Sequence, residues 1–304
     1  MVWLRRISLF IALNFAVMVT IGFLLWILGA DRWLQANGLN IRQLLVWSLV
    51  WGMGGSFISL ALSRIMAKWT MGVQVIDRAT ATGESKALLD LVDDLCRKAN
   101  LKGQPEVGIY RSPELNAFAT GPSQRRALVA VSSGLLQRMK PEELRAVLGH
   151  EVTHVANGDM ITMTLLQGIV NAFVLFLSRA LAYALVLAGR RDGERASGAS
   201  FGIVSFVLQI LFMILGSLLI AAYSRWREFR ADRGGAQLAG RDAMISALQT
   251  LEQTSKIQDP AHDQATVAAF KISSPSSIFR LWATHPPIEE RVARLRGMEE
   301  HRSK

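Results

Sequence analysis

The chain has one cysteine, Cys96, in 304 residues, and charged residues make up only 19% of it. A single thiol excludes an intrachain disulfide framework and leaves no second thiolate for a cysteine-held metal. Cys96 falls in the amphipathic pattern of residues 88–98 and reads as a buried apolar residue. A charged share below the roughly 25% of soluble domains, beside 51% hydrophobic residues, excludes an ordinary water-soluble protein. The net charge of +10 is not gathered into a basic stripe interleaved with aromatics, which argues against a nucleic-acid partner. Arg5, Arg6, Arg64, Lys68, Arg225, Arg227, Arg230 and Arg233 instead flank apolar blocks, a pattern that speaks of the lipid bilayer and of topology.

Four apolar runs carry no charge: residues 7–30, 43–63, 160–178 and 200–224. Each is long enough to cross a bilayer, which takes about 20 residues. The first follows Arg5 and Arg6 as a secretory signal would, but signal cores run only about 7–15 residues, so it reads as a retained anchor. The third holds Thr162, Thr164, Gln167 and Asn171 and stops at Arg179, so it is expected to span when packed against a partner helix. Four spans leave the loops 31–42 and 189–199 on one side, with five basic residues (Arg32, Arg42, Arg190, Arg191, Arg195) against the eight named above. The positive-inside bias then places both termini and the polar segments in the cytoplasm.

No internal repeat or low-complexity tract appears. The chain divides into an anchor of two spans (1–63), a polar segment (64–159), an apolar hairpin (160–224) and a polar C-terminal part (225–304). The expected fold is α+β and mostly helical. Residues 72–77 alternate like a short strand, and 83–100 form an amphipathic helix. The strand-like runs 106–110, 116–120 and 127–132, parted by Ser112-Pro113 and Gly121-Pro122, predict a small antiparallel sheet. Pro141, Glu142 and Glu143 open the next helix, and Asn157-Gly158-Asp159 ends it and starts another. Helical composition continues over 225–239 and 241–256, a loop covers 257–277, and a charged helix covers 287–300.

The helix opened by Pro141 carries His150-Glu151-Val152-Thr153-His154, a word that chance places in a chain of this composition only about 0.003 times. Four residues is close to one helical turn, so both imidazoles share a face and converge on one ion, with Glu151 beside them as general base. That is the arrangement of a zinc hydrolase. A catalytic zinc takes three protein ligands and keeps a fourth position for water, so one more ligand must come from elsewhere.

The apolar hairpin nominates it. Positions equally far from its connecting loop meet at similar height, and the position that mirrors His154 is Glu228, about 6 Å beyond the fourth span at 1.5 Å per residue. An ordinary surface acid paired with Arg225 or Arg227 is the bland alternative for Glu228. Asp232, four residues on, shares its helix face and is placed to accept from a ligand histidine's second nitrogen. Its alternative is a solvated helix acid or an ion pair with Arg233. The metal is thereby expected close to the cytoplasmic membrane surface.

HEVTH, SRWREFRAD (224–232), ELNAFATG (114–121) and THPPIEERVARL (284–295) together resemble the HtpX membrane metalloproteases, relatives of the CAAX prenyl proteases among the gluzincins. The likeness covers nearly the whole chain, with four words in the family's order. It implies a zincin-like cytoplasmic protease domain and a zinc-dependent endopeptidase of the bacterial inner membrane, linked to quality control of membrane proteins. It puts zinc ligands on His150, His154 and Glu228 and the general base on Glu151. Asn116, Ala117 and Phe118 resemble the family's substrate-edge strand, where an extended peptide is held by backbone hydrogen bonds. His285 and Arg291 look like its active-site pair, with His285 a candidate oxyanion donor and Arg291 facing substrate. The partners implied are membrane or unfolded proteins. Maturation of one prenylated protein is the rival within the enzyme class. A silent adaptor and an ion transporter are the rivals outside it, though a transporter would carry ionisable residues inside its spans.

Overall fold

The computed structural model describes residues 40–189, 198–254, 283 and 285–298. In chain order its elements are α1 (Ile41–Thr70), β1 (Gln74–Val75), α2 (Gly83–Lys98), β2 (Glu106–Tyr110), β3 (Ala117–Thr120), β4 (Leu128–Ser132), α3 (Ser133–Arg138), α4 (Pro141–Asn157), α5 (Asp159–Ala188), α6 (Gly198–Ala239), α7 (Arg241–Thr254) and α8 (Ile288–Arg296). The chain divides into two compact units, one of residues 1–58 and 164–220 and one of residues 59–163 and 221–304. Among the described residues, three helices are long and apolar enough to cross a membrane: Ile41–Thr70, Asp159–Ala188 and Ser200–Ala239. The expected span at 7–30 and the expected loop at 257–277 lie outside the described residues.

In the first unit, helices meet through small side chains. A Cβ on Gly52 would stand 2.4 Å from the backbone nitrogen of Ala172, so only glycine lets α1 and α5 approach this closely. Ser48 and Ser56, one turn to either side of Gly52, are buried too. Between lipid-facing helices there is no hydrophobic drive, and close van der Waals contact takes its place. Arg179 does not interrupt α5, which runs on to Ala188. Its guanidinium lies 4.5 Å from the Trp47 ring centroid and donates to the Leu175 carbonyl at 3.2 Å. Gln167 donates to Asn171 at 3.0 Å, so these two polar groups of the third apolar run satisfy one another within its helix.

The second unit holds a four-stranded mixed sheet in the order β1-β2-β4-β3. The expectation of a wholly antiparallel sheet fails at its centre, where β2 and β4 pair in parallel, Glu106 opposite Leu128 and Tyr110 opposite Ser132. The cause lies in β4, whose five residues are all buried, whereas those of β3 are only partly so. A run buried on both faces needs neighbours on both sides. β3 therefore returns at the rim, and β4 fills the gap between it and β2, antiparallel to β3 and parallel to β2. Alternation sorts the side chains: Val107, Val129 and Val131 join the main core with Leu95, Leu148 and Leu248. Tyr110, Leu128 and Ala130 face the other way, with Phe118 and with Ala67 and Met71 from the end of α1 and just beyond it. Cys96 is buried in the main core, and burial pushes its thiol up to about 12.

Candidate metal centre

Pro141 and two acids start α4, and the backbone N–H of Lys140 donates to Glu143 at 3.2 Å. Glu143 is buried and also accepts from the hydroxyls of Ser246, at 2.5 Å, and Thr250, at 3.0 Å, which pins the start of α4 to α7. At the other end Gly158 takes the left-handed conformation, φ 64°, and α5 begins at the next residue. Left-handed backbone suits glycine because it has no Cβ to clash.

α6 then passes close beside α4. A Cβ on Gly235 would lie 3.1 Å from the backbone nitrogen of His150, and one on Gly234 would lie 2.3 Å from Cγ2 of Thr153. These two glycines bring the helix bearing Glu228 within side-chain reach of the helix bearing the histidines.

His150, His154 and Glu228 converge. Nε2 of His150 is 3.1 Å from Nε2 of His154. Glu228 reaches the two imidazoles with separate oxygens, Oε2 at 3.4 Å from His150 Nε2 and Oε1 at 3.3 Å from His154 Nε2. Three donor atoms arranged tetrahedrally at 2.0–2.1 Å around one ion stand about 3.3 Å apart. One ligand atom from each of the three residues lies within 4.8 Å of the other two, so the donor set is close enough, and of the right chemistry, to share a single metal ion. Glu228 is 1% exposed, so it is no ordinary surface acid, although Arg227 donates to its Oε1 at 3.1 Å.

The surrounding charge also favours a cation. Burial alone would lower the His150 imidazole, but the Asp232 and Glu228 carboxylates overcome it and raise the group to about 9. Asp232 Oδ1 stands 3.0 Å from His150 Nδ1, a close contact out of line for a formed hydrogen bond, and among the described residues this buried nitrogen has no hydrogen-bond partner. Asp232 in turn accepts two hydrogen bonds from Arg291, at 2.8 Å from Nε and 2.5 Å from Nη2.

Arg291, expected to face substrate, is tied to Asp232. It is buried at 9% exposure and engaged behind His150, where its planar fork matches one carboxylate. Burial would lower its guanidinium, but Asp232 outweighs that and raises it.

The remaining candidates are spread around this cluster. Glu151 lies between the two histidines in sequence and is half-buried. His285 is 64% exposed, with Nδ1 2.9 Å from Glu228 Oε2. Asn116 is exposed just before β3; its backbone N–H donates to the Ser132 hydroxyl at 3.1 Å and its carbonyl accepts from the Ser132 N–H at 2.9 Å. Ala117 and Phe118 pair opposite Val131 and Ala130, and among the described residues β3 is a rim strand with one neighbour. α4 packs against this same strand.

Asp159, which sequence reasoning treats only as a helix start, is buried at 1% exposure with Oδ2 2.7 Å from His154 Nδ1. The available signal was the glycine before it: a one-residue corner after HEVTH folds position 159 back toward the preceding turn.

The family model for peptidase family M48 matches residues 83–299. A protease HtpX homolog of Bacillus velezensis is 51% identical over 300 residues, covering 96% of this chain and 98% of that protein. One from Bacillus subtilis is 51% identical over 301 residues with the same coverage. Protease HtpX of Thioalkalivibrio sulfidiphilus is 46% identical over 97% of this chain and 100% of its own length. The crystal structure of S. mikatae Ste24p aligns with a TM-score of 0.59 at 15% identity, over 97% of this chain and 67% of that one, a likeness of fold. The chain therefore belongs to peptidase family M48 and is a membrane-bound metalloprotease.

Proposed function

We propose that the chain is a zinc endopeptidase that crosses the bacterial inner membrane four times and hydrolyses membrane or misfolded proteins at the cytoplasmic face, in membrane protein quality control. The observation that carries the reading is the convergence of His150, His154 and Glu228, which bring one ligand atom each within 4.8 Å of one another, on helices that the HEVTH word and Glu228 occupy. His150, His154 and Glu228 would hold the ion, and two imidazoles with one carboxylate are a donor set of catalytic zinc. When bound, zinc polarises the scissile carbonyl and lowers the pKa of a water from 15.7 to about 7.

Glu151 takes a proton from the attacking water and delivers it to the leaving amine. His285, reaching Glu228 from solvent, donates to the carbonyl oxygen as negative charge develops there. The free side of β3, entered at Asn116 and running through Ala117 and Phe118, pairs with an extended substrate backbone. Main-chain pairing tolerates many sequences, which suits a protease acting on unfolded segments. Asp232 holds His150 with Arg291 behind it. Glu228 follows the charge-free run of 200–224 by four residues, and this supports a cleavage site close to the membrane surface.

Metal analysis and casein cleavage with the purified chain test the reading. Near-stoichiometric zinc, lost in His150→Ala and kept in Glu151→Gln while turnover disappears, is expected. Cleavage by Glu151→Gln at the wild-type rate would overturn the mechanism. A reporter fused at residue 195 is expected on the non-cytoplasmic side, and a cytoplasmic signal there would overturn the topology.

A further inference from the structure

We infer that Asp159 is a positioning residue of the metal centre, fixing the ring and the tautomer of His154 so that the Nε2 lone pair faces the metal position. The inference rests on the metal-centre reading above. Its geometry is direct: Oδ2 of Asp159 lies 2.7 Å from His154 Nδ1, and both side chains are buried. A carboxylate withdrawn from water is costly unless a partner compensates it. An Nδ1–H aimed at that carboxylate leaves the lone pair on Nε2, the nitrogen that faces His150 at 3.1 Å and Glu228 at 3.3 Å. Histidine ligands are generally oriented by such a bond from the other ring nitrogen.

The bland account is that Asp159, the first residue of α5, merely offers negative charge to a helix N-terminus. That role is met by a side chain lying beside the first-turn N–H groups and open to water. Here the carboxylate is 1% exposed and turned back across the Gly158 corner onto an imidazole of the preceding helix. The two histidines are also backed unequally. Asp232 shares its charge with Arg291 through two hydrogen bonds, whereas among the described residues Asp159 forms no ion pair with a lysine or arginine. The Asp159 carboxylate is thus not shared with a lysine or arginine among the described residues, and its removal should be felt at His154.

The test uses the full chain purified in detergent, with Co2+ titrated against a competing chelator and followed by its visible absorption. Asp159→Ser keeps a residue that starts helices well but cannot reach His154. Asp159→Asn is isosteric, with an amide oxygen that still accepts from Nδ1 but carries no charge. Affinity is expected to fall about 10–100-fold in the serine variant and by a smaller factor in the asparagine variant. Both should show a shifted Co2+ band and unchanged helix content by circular dichroism. Wild-type affinity and spectrum in the serine variant would show that the position only starts a helix, and the inference would fail. Should serine prevent folding, wild-type binding and spectrum in the asparagine variant overturn it equally. A wild-type chain that takes up no Co2+, or His150→Ala binding it as tightly, takes down the metal-centre reading and this inference with it.

Discussion

Both compact units use glycine to bring helices close, but for different ends. In the apolar unit Gly52 lets α1 lie against Ala172 of α5, and what it brings together is small and mostly apolar, with Ser48 and Ser56 buried alongside. In the other unit Gly234 and Gly235 let α6 lie against α4, and what arrives is a buried carboxylate between two imidazoles. The first contact is its own reward, since dispersion is what holds lipid-facing helices together. The second brings charged and polar groups out of water, which favours folding only where hydrogen bonds or a cation answer them. The same device thus serves cohesion in one place and preorganisation in the other.

The largest effect separates chemistry from architecture within the metal-binding unit. Glu151→Gln is expected to lower casein cleavage by about 10²–10⁴-fold, the usual worth of a general acid–base group, with zinc content unchanged. Next come the glycines themselves. Gly235→Val and Gly52→Val should each destabilise by about 1–3 kcal/mol through overpacking, read as thermal unfolding in detergent. Only Gly235→Val should also weaken Co2+ binding, and equal losses of metal in the two variants would erase the contrast drawn above.

Smaller again is Arg291→Lys. A lysine cannot reproduce the two-pronged bond to Asp232, and about tenfold weaker metal binding is expected from the loosened support. Unchanged affinity would mean that the fork is dispensable. The smallest effect concerns Glu143. Burial would raise its carboxyl, but the Ser246 hydroxyl, the Lys140 backbone N–H and the Thr250 hydroxyl together hold it below its ordinary 4.5. Its contribution to stability is therefore complete above about pH 4.5 and is lost as pH falls through the lowered folded value. Glu143→Gln should flatten the acid limb of a stability–pH curve while leaving metal binding alone.

The candidate metal ligands were legible because helical period and hairpin symmetry are one-dimensional rules. Four residues place His150 above His154, and equal spacing from one loop nominates Glu228, which the structure sets 3.3 Å from His154. Sheet order was not legible, because strand-like runs carry no mark of their neighbours. The clue was the near-uniform apolarity of residues 128–132, which asks for cover on both faces and on both sides. Arg291 was noticed, but its target was not: six residues from His285, the two side chains go to different carboxylates, Asp232 and Glu228. Asp159 stayed hidden since an acid opening a helix has a sufficient local explanation, and only three dimensions show where its oxygens point.

The corner at Gly158 is a single residue long. A helix turns about 100° for every residue added, so one extra amino acid between Asn157 and Asp159 would swing the carboxylate off the imidazole and twist all that follows out of phase. Substitutions there are graded injuries, but an insertion or deletion changes the register itself. The length of this stretch is therefore under tighter constraint than most of its individual letters.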